Sequence, residues 1–130
     1  MKNKINIIGR LGKDPEKRFT ATGQEVCNFS VATDRTWKKD DEKMKETIWF
    51  RVEVWGKMAS VCATWLKKGS LVDVEGRMKP IRIYKDASGE SQAQLEIAAH
   101  NITFLSSTKT SDEAAGSDPV YENVDGDVPF

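Results

Sequence analysis

Histidine and cysteine are nearly absent from this 130-residue chain. His100 is the only histidine, and the two cysteines, Cys27 and Cys62, stand far apart with no CxxC pair. A zinc site has nothing to assemble from. Both cysteines sit among apolar neighbours, where a small buried hydrophobe is expected and not a redox couple. The acidic run Asp40-Asp41-Glu42 lies in a charged stretch and reads as solvated; no set of histidines or carboxylates has metal-ligand spacing. An enzyme is therefore not expected, and no cofactor or metal is implied. Long apolar runs are missing too. None approaches the roughly 20 residues of a membrane span. Met1-Lys2-Asn3-Lys4 leads straight into a strand-like run and not into a signal-peptide core, so a cytoplasmic protein is expected.

Net charge is also absent, with 20 basic and 20 acidic residues. The balance hides a strong asymmetry. Residues 106–130 hold one basic residue, Lys109, and six acidic ones, while the first 105 carry 19 basic against 14 acidic. A domain of +5 is joined to a tail of −5, which suggests a charged partner for one part and a separate job for the other. Residues 106–118 are almost all small or polar and cannot bury enough surface to offset the entropy of ordering them. We expect one domain over residues 1–105 and a disordered acidic tail over 106–130.

What is present is a succession of short β patterns. Residues 5–12 are β-branched and glycine-ended, and Lys17-Arg18-Phe19 adds a short segment. In residues 26–37, Cys27, Phe29 and Val31 alternate with Asn28, Ser30 and Ala32. The charged stretch 38–46 is expected to be a loop. In residues 47–55, Phe50, Val52 and Val54 share one face and Trp49, Arg51, Glu53 and Trp55 the other. The period then changes. Met58, Val61, Cys62, Trp65 and Leu66 fall on one helical stripe, which places Trp65 in the core, and Gly69 is the expected C-cap. Residues 70–79 form a further strand that Gly76 bends. Residues 81–85 and 91–98 form a hairpin, and 101–105 close the sheet. Three strands, one helix and two or three more strands give a mainly β fold. We expect a five-stranded Greek-key oligonucleotide-binding barrel with one helix between strands 3 and 4.

The aromatic residues point to a partner. If Phe50, Val52 and Val54 fill the core, Trp49 and Trp55 point out of it, and exposed apolar surface marks a binding face. Trp37 stands beside Arg35 and Lys38, Arg51 lies between Trp49 and Trp55, and Lys79, Arg82 and Lys85 surround Tyr84. Aromatic rings stack on bases of any sequence, and interleaved cations track phosphates. Candidate stacking residues are therefore Trp37, Trp49, Trp55 and Tyr84. Candidate phosphate contacts are Arg10, Arg35, Lys38, Arg51, Lys57, Lys68, Lys79, Arg82 and Lys85. The competing expectation is an interaction module, akin to replication-restart relatives of this fold, whose aromatic face joins protein subunits.

Several segments in order resemble bacterial single-stranded DNA-binding proteins. They are Asn6-Ile7-Ile8-Gly9-Arg10-Leu11-Gly12-Lys13-Asp14-Pro15-Glu16, Asn28-Phe29-Ser30-Val31-Ala32-Thr33 with Trp37, Trp49-Phe50-Arg51-Val52 with Trp55-Gly56-Lys57, Leu66-Lys67-Lys68-Gly69-Ser70, and Val74-Glu75-Gly76-Arg77, with Val128-Pro129-Phe130 at the end. The resemblance implies a homotetramer wrapped by single-stranded DNA, acting in replication, recombination and repair at the nucleoid. It also implies that replication and repair proteins dock on the tip, here Asp125, Asp127, Val128, Pro129 and Phe130. The chain departs from the common pattern by about one extra residue between Gly76 and Tyr84, by Pro80, and by a short tail with a thinner acidic run.

Overall fold

The computed structural model describes residues 1–106. The chain runs β1 (Ile5–Leu11), β2 (Glu16–Phe19), β3 (Glu25–Lys39), β4 (Glu42–Trp55), α1 (Lys57–Trp65), β5 (Leu71–Met78), β6 (Arg82–Lys85) and β7 (Ser91–Ser106). Neighbouring strands follow the order β1-β5-β7-β4-β3, and β3 returns to β1 through Arg10 opposite Ala32 and Leu11 opposite Val31. Five strands thus close into a barrel, which leaves few unpaired edges. β2 and β6 are short additions that pair with β3 and β7. The helix falls between the third and fourth barrel strands, as expected.

Alternation along the strands builds the core. Cys27, Phe29 and Val31 from β3, Val52 and Val54 from β4, Val72 and Val74 from β5, and Ile97 and Ile102 from β7 are all buried. A fully buried aliphatic side chain of this size stabilises the fold by about 1.5–3 kcal/mol relative to exposure. Burial pushes the Cys27 thiol up to about 11 and the Cys62 thiol up to about 12. Both are therefore neutral near pH 7 and pack as small hydrophobes. Gly76 lies where the β5–β7 register shifts, and a Cβ there would stand 2.3 Å from the Ala98 carbonyl oxygen. Close approach of two backbones at this bend needs a residue without a side chain.

Four local expectations are corrected. Residues 38–46 are not a loop. Apart from a two-residue turn they are the arms of a hairpin, with Lys38 opposite Lys43 and Lys39 opposite Glu42. Asp40 and Asp41 make that turn with φ of 53° and 68°. Both residues thus have the left-handed conformation that short hairpins demand. The final segment 101–105 is not separate but continues β7. The helix ends earlier than expected, at Trp65, and its C-cap is Leu66 in an extended conformation, not Gly69. Gly69 instead has φ 89° in the turn that follows and donates its N–H to Leu11.

The fourth correction concerns Trp65, which is 67% exposed and not a core residue. The buried stripe of α1 is Ala59 and Cys62, continued by Leu66. Of the expected stripe, Cys62 and Leu66 are buried and Met58 packs against the core, whereas Val61 and Trp65 are exposed. At the other end of the sheet, the Asp86 carboxylate closes the β6–β7 loop. It accepts hydrogen bonds from the Ser88 hydroxyl, the Glu90 N–H and the Gln92 amide, and these pull its pKa down to about 2. No helix among the described residues is long and apolar enough to cross a membrane.

Candidate nucleic-acid interface

Strand geometry decides which way the β4 side chains point. Successive side chains alternate between faces. Val52 and Val54 are buried, whereas Trp49 and Trp55 are 53% and 42% exposed. Arg51 and Glu53 sit between them on the same outward face. β7 runs parallel to β4 and sets Glu96 opposite Arg51. β6 lies beyond it, with Tyr84 opposite Gln92. Three outward elements therefore make one surface.

Two recesses lie on this surface. Trp49, Arg51 and Tyr84 line one of ≈ 140 Å³ together with Ser30 and Gln94. Tyr84 is thus exposed and lines the same recess as Trp49. Arg51 also lines a second recess of ≈ 230 Å³, with Arg18, Asn28, Glu53, Lys79, Arg82, Gln94 and Glu96. The Trp49 ring lies across Gly12, where a Cβ would stand 2.6 Å from Cζ3 and 2.7 Å from Cη2. Only a residue without a side chain lets the indole lie that close to the β1 end.

Trp37 belongs to a different place. Residues 33–39 and 42–48 pair only with each other, so β3 and β4 leave the barrel as a two-stranded ribbon. Trp37 is half-buried on that ribbon, opposite Met44. The Arg35 guanidinium stacks on its indole, 4.3 Å from the ring centroid, and pairs with Glu46 at 3.2 Å. Cation and ring are thereby held together on the ribbon surface.

The basic side chains divide into free and engaged ones. Lys38, Lys57, Lys68 and Lys85 are exposed. Arg10 is half-buried and donates to the Gly69 carbonyl at 2.9 Å. Lys79 lies 3.2 Å from Glu53 and 3.6 Å from Glu96, and Arg82 lies 3.3 Å from Glu96. Burial pushes the Glu53 carboxyl up, but hydrogen bonds from the Trp55 indole and Lys79, with the charges of Lys79 and Arg18, outweigh it and hold the group below the usual carboxylate range. Glu53 thus fixes one edge of Trp55 while restraining a cation.

Sequence reading missed Arg18 as part of this surface. Arg18 lines the larger recess from β2, whereas its strand neighbour Phe19 alternates to the other face, where it is 62% exposed with the Lys17 ammonium 5.6 Å from its ring centroid. A three-residue strand segment carried no signal of which residue would turn toward the tryptophans. The docking residues Asp125, Asp127, Val128, Pro129 and Phe130 lie outside the described residues.

A closed barrel with an outward aromatic and basic face is matched by a known family. The model of the single-strand binding protein family matches residues 2–105. The chain belongs to the single-strand binding protein family. Its relatives within that family include a single-stranded DNA-binding protein of Neisseria meningitidis serogroup A, 39% identical over 104 residues. That match covers 79% of this chain and 59% of the relative, so the chain spans about three-fifths of the relative's length. The single-stranded DNA-binding protein 1 of Synechocystis is 36% identical over 112 residues, covering 86% of this chain and 90% of the relative. Among solved structures, the Plasmodium falciparum SSB in complex with ssDNA superposes with a TM-score of 0.66 at 26% identity. It covers 81% of this chain and 96% of that one.

Proposed function

We propose that this chain binds single-stranded DNA without chemistry and with little sequence preference. The carrying observation is the outward β4 face, where Arg51 and Glu53 separate Trp49 and Trp55 and Tyr84 shares a recess with Trp49. Bases stack on Trp49, Trp55 and Tyr84, and a strand that extends along the ribbon reaches Trp37. Stacking tolerates every base because every base has a π-face. Arg10, Arg35, Lys38, Arg51, Lys57, Lys68, Lys79, Arg82 and Lys85 serve the phosphates. Family membership and the DNA-bound relative of the same fold support this reading. In the finer reading, residues 1–105 are the DNA-binding domain of a homotetramer. Residues 106–130 are an acidic tail whose tip, Asp125 to Phe130, brings replication, recombination and repair proteins to the exposed strand.

Titrating the full chain with dT oligomers of increasing length, with light scattering for mass, tests this reading. Saturable binding that strengthens with length, by an assembly of four subunits, is expected. A chain that binds no dT oligomer but self-associates through the aromatic face would instead be an interaction module.

Gly12 gives a sharper local test. Gly12→Ala is expected to push the Trp49 indole off its position while leaving the barrel folded. Affinity for dT should fall by up to about 1–3 kcal/mol, the worth of one stacked base. Unchanged affinity in a folded variant would remove Trp49 from the stacking set.

A further inference from the structure

We propose that Glu53 and Glu96 are built-in competitors of phosphate, holding Lys79 and Arg82 so that a DNA strand must displace a carboxylate to reach either cation. The inference rests on reading this face as the DNA-binding surface. Lys79 Nζ lies 3.2 Å from Glu53 Oε1 and 3.6 Å from Glu96 Oε1, and Arg82 Nη2 lies 3.3 Å from Glu96 Oε2. Two carboxylates thus hold two of the four cations that line the recess, and leave Arg18 and Arg51 in excess.

Their setting makes the pairing firm. The Glu96 side chain is only 8% exposed and that of Glu53 only 19%. A carboxylate so far from water is costly unless a cation answers it. Lys79 answers both, and its backbone N–H also bonds the Glu96 carbonyl at 2.9 Å. The recess lies where DNA must cross. Trp49 and Trp55 are six residues apart on one strand, roughly 20 Å at strand rise, and Arg51 and Glu53 stand between them. Nucleotides joining two stacked bases pass over the paired groups.

The consequence is an exchange in place of a simple gain. A phosphate that reaches a free lysine releases counterions and adds to affinity. A phosphate that reaches Lys79 or Arg82 must take the place of Glu53 or Glu96. These two cations then add little net affinity, and the carboxylates stand ready to take them back when the strand leaves. Grip and release are thereby set by residues that never touch the DNA favourably.

Glu53→Gln in the full chain tests this, because glutamine keeps the shape and an acceptor for the Trp55 indole N–H while removing the charge. Binding to a long dT oligomer is measured over a salt series. Affinity is expected to tighten about threefold or more at low salt, with log K against log salt steeper by about 0.7, as for one more phosphate neutralised on a single strand. In a Lys79→Met background most of that gain is expected to disappear, since the cation paired with Glu53 is gone and only the longer-range charge of Arg18 remains to be relieved. Glu96→Gln should act in the same direction, with urea unfolding confirming that the variant is folded. Unchanged or weaker binding by folded Glu53→Gln would overturn the proposal. So would tightening that persists in full without Lys79, because the carboxylate would then act through something else. A parent chain that binds no dT overturns the reading of the face and the inference with it.

Discussion

Replacing Trp49 and Trp55 together with alanine is expected to abolish tight binding to single-stranded DNA while leaving the barrel folded. The two rings are 53% and 42% exposed, so neither is a main support of the core. Each stacked base is worth about 1–3 kcal/mol, so the pair carries on the order of 2–6 kcal/mol where the losses add. Every 1.4 kcal/mol is about a factor of ten in affinity. The single variants should each weaken binding by about one such stacking contribution. Trp55→Ala has a second effect, because it removes the indole donor from Glu53. Fluorescence anisotropy of a labelled dT oligomer reads the loss, and far-ultraviolet circular dichroism checks the fold. A folded double variant that binds as well as the parent would move the binding surface elsewhere.

The barrel was legible where both periodicity and size of side chain agreed. In β4 the alternation of Phe50, Val52 and Val54 with Trp49, Arg51 and Trp55 identified both faces, and the structure keeps that division. Gly76 was legible as a bend because a strand glycine marks close backbone approach. The outer part of the β3–β4 ribbon, residues 38–46, was not legible. Its arms are charged on both faces, so no apolar period marks them, and its turn is Asp-Asp, without the glycine that usually signals a two-residue hairpin. Trp65 misled for a different reason. The stripe Met58, Val61, Cys62, Trp65 and Leu66 spans too wide an arc: α1 packs on the barrel through small Ala59 and Cys62, with Leu66 and Met58, and Val61 and Trp65 fall outside the contact. The small residues let the helix sit close and rotate the larger ring outward. The larger recess was legible only in part. Glu53 was seen as a neighbour of the tryptophans, but Glu96 and Arg18 come from β7 and β2, and only strand pairing brings them to it.

The second large effect concerns stability. Ile97→Ala is expected to destabilise the chain by about 2–5 kcal/mol, through lost transfer energy and the cavity left behind. Ile97 is fully buried and stands where three strands meet, opposite Val52 of β4 and Met78 of β5. The space is walled by buried side chains carried on the strands of a closed barrel, which has little freedom to collapse into it. Its chain neighbour Glu96 faces the recess with Lys79 and Arg82, so loosening this point also loosens the site. A drop in the urea midpoint measures the cost. A loss below about 1 kcal/mol would mean that the site relaxes and that β7 is not held as tightly as its burial implies.

The central claim is that bases stack on the outward tryptophans of a folded, non-catalytic barrel. Intrinsic tryptophan fluorescence of the full chain, titrated with poly-dT and with a duplex of matched length, tests it most directly. Strong quenching by poly-dT that saturates at a fixed ratio of nucleotides to protein is expected, with little quenching by the duplex. Quenching should fall sharply in the Trp49→Ala, Trp55→Ala double variant, with Trp37 the one stacking indole left to report. Binding of poly-dT without any change in tryptophan emission, or equal quenching by duplex, would contradict it.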